Sequence, residues 1–327
     1  MRIPRYWIKR GDTDQVFHVI SRVAGREYLL NDEAKQAFLT ILRQHEQFSG
    51  CEVLTYCLMD NHFHLLLRVP ARPKVISADD VLARLHHVTS SARMNQIRSI
   101  VEELGRLQDG TALEEYLNGF RRRMFDLSFF MKDMKQRFTQ WYNSNFERKG
   151  TLWESRYKSV VVENSPPALK KVASYIDLNP VRAQITENPE FYPWSGLYQL
   201  VKKRGSSLDR LARILGEDSG AIKSSKSLWI KTYLDHLYAI IREDGLRREL
   251  EAGQAIDRRG RPRNTDRMNP DHEYFQKAED SSSDSDTFSS KSLSMRRNAR
   301  LSDGIVFGSR AFLMDWKNRI SRFINPV

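Results

Sequence analysis

The run of apolar residues in Val16 to Arg22, VFHVISR, looks like a short first strand. The spacing turns helical after Asn31, a side chain suited to capping the run DEAKQAFLTILRQHEQF. An apolar stretch then extends from Tyr56 to Pro70, broken by the turn-prone Met59-Asp60-Asn61, and predicts a pair of strands. This β-α-β-β order is half of a ferredoxin-like sheet. Val75 to Arg123 is charge-rich and mostly helical in pattern, and residues 75–124 read as an insertion. From Leu127 to Phe146 apolar residues recur at helical spacing, with Met131, Met134 and Phe138 on one core-facing stripe. Gly150 to Glu163 returns to strand character. Pro166-Pro167 opens a helix, ALKKVASYIDLN, which stops at Asn179 because a proline follows it.

Past residue 200 the pattern thins. Residues 201–256 predict a helical appendage carrying Leu208, Leu211, Ile214, Leu215, Trp229, Tyr233, Leu237 and Ile240. Residues 257–300 form a basic and then Ser/Asp-rich linker, of which 279–294 holds too few apolar residues to fold. Residues 301–327 are apolar and periodic enough to dock back as a strand or turn followed by a helix. The predicted fold class is α+β: an antiparallel sheet with helices on one face within residues 1–200, plus the helical insertion and the helical C-terminal appendage.

Charge adds a partner to this picture. The 327 residues hold 53 Lys+Arg against 41 Asp+Glu, a net +12, which favours a polyanion, and nucleic acid is the commonest. Basic and aromatic side chains interleave at Arg5, Trp7 and Arg10, and again at Trp153, Arg156, Tyr157 and Lys158, a composition suited to phosphate contact with base stacking. Arg121 and Arg122 extend the track. Arg259 and Arg261 lie in DRRGRPRN, which looks like an AT-hook. Each stretch has a plainer reading as a basic terminus, a solvated face or a linker. Cys51 and Cys57 lack C-x-x-C spacing, so neither a disulfide framework nor a thiolate zinc site is suggested, and a reducing compartment fits. No apolar run approaches the roughly 20 residues of a membrane span, so the expectation is a soluble, cytoplasmic, nucleoid-associated protein with no membrane partner.

Candidate chemistry centres on His62 and His64. Two residues apart on a strand, they share one face and can converge on one cation, although a lone His-x-His is more commonly a hydrogen-bonded core pair. His18 reads as a packed strand histidine. Tyr175 and Asn179 are four apart on a helix and so share a face, from which Asn179 can offer a carboxamide oxygen as a third ligand and Tyr175 a phenol beside the ion. Taken alone, such a pair is usually a core tyrosine and a helix-terminal asparagine. Imidazole and carboxamide without thiolate suit Mg²⁺ or Mn²⁺.

His62-Phe63-His64 followed by Tyr175-Ile176-Asp177-Leu178-Asn179-Pro180-Val181-Arg182-Ala183 resembles the single-tyrosine HUH transposases, most closely the REP-associated tyrosine transposases. Met124-Phe125-Asp126-Leu127-Ser128, Lys135-Gln136-Arg137-Phe138, Gly150-Thr151-Leu152-Trp153-Glu154, Arg156-Tyr157-Lys158-Ser159 and Tyr192-Pro193-Trp194-Ser195 look like that group and occur in its order. The resemblance covers about residues 1–200. It implies a ferredoxin-like HUH nuclease core that binds single-stranded or hairpin DNA, cuts it through a tyrosine and rejoins it. His62 and His64 match the metal ligands, Tyr175 the nucleophile and Asn179 the third ligand, which is a glutamine in some relatives. Arg182 is expected to touch DNA. A homodimer is compatible, with the tyrosine acting in cis or across it. A non-catalytic hairpin-binding regulator is the alternative. An RNA-binding module ranks third, because the central strand carries histidines where stacking aromatics would be needed.

Overall fold

The computed structural model describes residues 13–107, 110–202, 207–217, 225–254 and 304–316. Five strands form one sheet in the order β2-β3-β1-β4-β5: β1 is Gln15–Arg22, β2 Glu52–Leu58, β3 His62–Val69, β4 Lys158–Val162 and β5 Gly304–Phe307. The pairs β2-β3, β3-β1 and β1-β4 are antiparallel, and β5 joins β4 in parallel.

One face of the sheet carries Phe17, Val19, Phe63, Leu65 and Leu67, and packs under α1 (Asp32–Ser49) and, later in the chain, the helix Leu127–Asn145. Asn31 caps α1, its Oδ1 accepting the Ala34 N–H at 2.9 Å, and Gly50 at φ 75° ends it in the left-handed conformation that glycine adopts without steric cost. Between these two helices come α2 (Ala78–Leu85), α3 (Ser91–Arg106) and α4 (Gly110–Arg121), which gather Val81, Leu85, Met94, Ile97 and Leu117 around Phe48 at the end of α1. The helix Leu127–Asn145 is therefore α5, and its stripe of Met131, Met134 and Phe138 is fully buried.

The other face carries Val16, Leu66, Val160 and Val162, and α6 (Pro166–Asp177) lays Leu169, Val172, Ala173 and Ile176 across it. The α+β architecture thus has helices on both faces, where the sequence suggested one. Both faces carry buried apolar side chains, the second through Val16, Leu66, Val160 and Val162, so leaving either bare would expose apolar surface to water.

After α6 the chain kinks at Leu178 into the short α7 (Asn179–Arg182), and then α8 (Gly196–Lys202), α9 (Ser207–Leu215) and α10 (Lys226–Gln254) follow. Tyr192-Pro193-Trp194-Ser195 seals the open side of β2: the Tyr192 hydroxyl donates to the Leu58 carbonyl at 2.6 Å, and the Leu58 N–H donates to the Trp194 carbonyl at 2.9 Å. At the opposite edge the Glu163 carboxylate accepts the Ser309 N–H at 2.6 Å, fixing the residues that follow β5. Among the described residues no helix is long and apolar enough to cross a membrane.

Candidate active site

Strand pairing assembles the site. In the β1-β3 register Ile20 faces His64 and Arg22 faces His62, so the alternate residues His18, Ile20 and Arg22 share a face with both histidines. That face is the one α6 covers, and Tyr175 descends onto it. Its ring meets those of His64 and His18 edge-on, with centroids 5.7 Å away in each case. The His62 and His64 rings are 5.1 Å apart, and those of His18 and His64 stack at 5.2 Å. His64, His18 and Tyr175 are buried, at 0%, 1% and 3% exposure, whereas His62 sits half-buried at the rim.

Burial fixes the protonation states. Desolvation pushes the His62 imidazole down to about 4, with Arg22 adding to it, and pushes His18 down to about 3. His64 is held well below the usual imidazole range by desolvation and then by His62, His18 and Arg22. All three rings are neutral near pH 7, the form in which imidazole can ligate a cation. Burial pushes the Tyr175 phenol up to about 12, opposed by the charge of Arg182, a hydrogen bond with the Asn179 carboxamide and the charge of Arg22. The Arg182 guanidinium lies 5.2 Å from the centre of the Tyr175 ring and is held from the side by Asp244 at 3.2 Å. Lys135, brought down to about 8 by desolvation, bonds Ser21 at 2.7 Å, and Ser21 alternates to the opposite face, so this amine does not serve Tyr175 as a base.

The helix bearing Tyr175 is anchored from below. The Asp177 carboxylate is fully buried and accepts hydrogen bonds from Thr55 Oγ1 of β2 at 2.7 Å and from the Tyr233 hydroxyl of α10 at 2.8 Å. Desolvation nonetheless raises this carboxyl to about 7, against those two bonds. A carboxyl whose folded pKa exceeds its unfolded value of about 4 stabilises the fold most at low pH, and that stabilisation is lost as pH rises through about 7. Asp177→Asn removes this loss. Relative to wild type it is expected to gain on the order of 4 kcal/mol between pH 4 and pH 8 in urea titrations, and curves that stay parallel would contradict the assignment.

The basic and aromatic candidates divide. Trp153 is a core residue: its ring packs on Phe63 and Phe138 at 5.4 and 5.9 Å, and its Nε1 donates to Thr139 Oγ1 at 3.0 Å, so it offers no free face for stacking on a base. Adjacent Leu152 is buried in the same core, a placement that local composition does not reveal. Trp153→Ala is expected to cost about 3–5 kcal/mol in chemical denaturation. Weakened DNA binding at unchanged stability would return it to a stacking role. Tyr157 packs partly against the same core. Arg121 is drawn into the helical layer by Glu114 at 2.5 Å and the Ile76 carbonyl at 2.9 Å, away from the Tyr175 face. Arg122, Arg156 and Lys158 are exposed, and Lys158 pairs with Ile20 and so stands on the face that holds Tyr175. Arg5, Trp7, Arg10, Arg259 and Arg261 lie outside the described residues.

Sequence reasoning gives His18 a packing role in preference to a place at the site, reads Asn61 as a turn residue and passes over Arg22. His18 and Arg22 come to the site through strand register, which no local pattern encodes. Asn61 had been read only as a turn residue, yet its Oδ1 lies 2.7 Å from His62 Nδ1. Among the described residues no group of three or more His, Cys, Asp or Glu gathers as a metal centre. The available donor set is therefore two imidazoles and a carboxamide. As neutral nitrogen and oxygen donors they fit a divalent cation, although Asn179 is also engaged by the Tyr175 hydroxyl.

Comparison with known proteins adds the family. The family model described as "Transposase IS200 like" matches residues 13–105. None of the curated proteins matches. Among solved structures, that of a REP-associated tyrosine transposase bound to a REP hairpin aligns at a TM-score of 0.35 and 14% identity, over 62% of this chain and 86% of its own. A transposase structure from Deinococcus radiodurans R1 aligns at 0.23 and 19% identity, over 57% of this chain and 94% of its own. Likenesses of that size carry no argument, and the family model speaks for residues 13–105 alone. Residues 13–105, which build β1, α1, β2 and the histidine-bearing β3, are thus similar to the IS200-like transposases.

Proposed function

We propose that the protein cleaves and rejoins single-stranded or hairpin DNA through Tyr175, as a tyrosine transposase of the REP-associated kind. The family match supports a transposase-like role in DNA processing. The observation that carries the finer reading is the edge contact of the Tyr175 ring with His64, at 5.7 Å, on the face that also bears His62. That contact lies within one chain, which supports action of the tyrosine in cis.

In the proposed reaction the Tyr175 oxygen attacks the scissile phosphorus. A Tyr–O–P bond forms as the phenol releases its proton, the P–O3′ bond breaks, and the 3′ oxygen takes up one proton in exchange and leaves as a hydroxyl. The phosphoryl group is kept as an ester, so a 3′-hydroxyl can attack it, expel the tyrosine and reseal the strand without an external energy source. Arg182 and Arg22 supply positive charge near the phenol. That charge favours the phenolate and offsets the repulsion between an anionic diester and an oxygen nucleophile. His62 and His64, with Asn179, would hold Mg²⁺ or Mn²⁺, which when bound polarises phosphate oxygens and neutralises their charge. Exposed Lys158, on the same face, suits the flanking phosphates.

A labelled hairpin oligonucleotide incubated with the protein and Mn²⁺ or Mg²⁺ is expected to give a slowly migrating covalent product on a denaturing gel. Hydrolysed, unattached ends would reject the reading. One observation favours the second reading, a hairpin-binding regulator without catalysis: Tyr175 is only 3% exposed. That reading predicts tight hairpin binding and no metal-dependent product.

A further inference from the structure

The two candidate ligands are held by different partners in the same way. Asn61 Nδ2 donates to the Arg26 carbonyl at 3.1 Å, which fixes the orientation of the amide and turns its Oδ1 toward His62 Nδ1, 2.7 Å away. A carboxamide oxygen only accepts, so His62 carries its proton on Nδ1, and its lone pair lies on Nε2. His64 repeats the pattern deeper in the sheet. Its Nδ1 is 3.0 Å from His18 Nε2, between rings that are both buried.

We propose that His18 is a positioning residue: by taking the Nδ1 proton of His64 in a hydrogen bond, it commits the Nε2 lone pair of His64 to the site beside Tyr175. Two neutral imidazoles in contact through one nitrogen each share a single proton along that line, so two arrangements exist. In one, His64 Nδ1–H donates to His18 and Nε2 of His64 is a ligand nitrogen. In the other, His18 Nε2–H donates to His64, whose own proton then sits on Nε2 and blocks ligation. Asn61 enforces the ligand-competent tautomer at His62 by chemistry. At His64 the same outcome requires that His18 keep its own proton on Nδ1. A partner that holds the non-ligating nitrogen of a metal histidine typically contributes 10- to 100-fold in affinity, about what a misplaced tautomer would forfeit. Sequence alone made His18 a packing residue, because its nearest chemical partner is 46 positions away.

The inference rests on the cation-holding reading of His62 and His64, so its test needs a readout independent of DNA cleavage. Histidine-selective ¹⁵N labelling of the full, metal-free chain reports which nitrogen of His64 carries the proton. Titration with Mn²⁺ alone, followed by electron paramagnetic resonance, reports affinity. Wild type is expected to show His64 protonated on Nδ1. His18→Gln places an amide oxygen where Nε2 stood, and should keep that tautomer and bind Mn²⁺ within a few-fold of wild type. His18→Asn is too short to reach, and His18→Leu cannot accept. Both should lose the single tautomer and weaken Mn²⁺ binding about 10- to 100-fold. Melting curves identify any variant that does not fold, and the Gln and Asn pair carries the comparison if Leu is not tolerated. Wild-type His64 protonated on Nε2 would overturn the inference, as would Asn and Gln variants that behave alike. A wild type with the expected tautomer but no Mn²⁺ binding would sustain the positioning role while removing the cation reading on which the proposed function draws.

Discussion

Tyr175→Phe is expected to abolish the covalent protein-DNA product, a loss of more than about 10³-fold, while leaving hairpin affinity and fold nearly intact. The substitution is narrow. A phenyl ring keeps the edge contacts to His64 and His18 and still lies under the Arg182 guanidinium, so α6 stays seated on the sheet. What disappears is one oxygen and its hydrogen bond with Asn179, a stability change of about 1 kcal/mol. Loss of product at unchanged melting temperature therefore reports chemistry. A Phe variant that still forms the product would assign the nucleophile elsewhere.

His62→Ala has the second largest expected effect. Its ring is at the rim and half-buried, so truncation costs less packing than at His64, which is fully enclosed and would leave His18 facing a void. The variant is expected to lose metal-stimulated product by at least about 100-fold, with Mn²⁺ binding weakened in parallel. Hairpin binding should persist, because the phosphate contacts of other cations carry most of the affinity and would show the same steep salt dependence as in wild type. Product formation that survives His62→Ala, at any Mn²⁺ concentration, would refute the ligand role.

The two substitutions separate the halves of the site, and those halves were legible in the sequence to different degrees. The cap at Asn31, the stripe of Met131, Met134 and Phe138 and the alternation that pairs His62 with His64 are local patterns, and the structure displays each of them. Tyr175 and Asn179 were legible as neighbours because helical periodicity sets their spacing. Strand register was not legible. A shift of one residue in the β1-β3 pairing would have turned His18 and Arg22 to the α5 face, and nothing in VFHVISR distinguishes the two alternatives. The second layer of helices was missed for a related reason. The parity of β1 and β3 that holds His18, Arg22, His62, His64 and Arg68 looks largely polar in sequence, so only the face of Phe17, Val19, Phe63, Leu65 and Leu67 signals burial there. Trp153 misled because an aromatic among cations looks the same in sequence whether its ring faces a base or the core.

Arg182 acts on the tyrosine half, whereas Arg22 acts on both Tyr175 and the histidines. Arg182 is the largest of the influences that draw the Tyr175 phenol down from where burial places it, ahead of Asn179 and Arg22. Tyr175, its hydrogen-bond partner Asn179 and this guanidinium lie within eight residues on α6 and α7, on the two sides of the kink at Leu178.

The most direct measurement is to digest the covalent product and locate the DNA remnant by mass spectrometry. The account predicts a nucleotide phosphate esterified to Tyr175, in the peptide that continues Ser174-Tyr175-Ile176-Asp177. A remnant on any other residue, or a digest in which Tyr175 is always recovered unmodified, would contradict it.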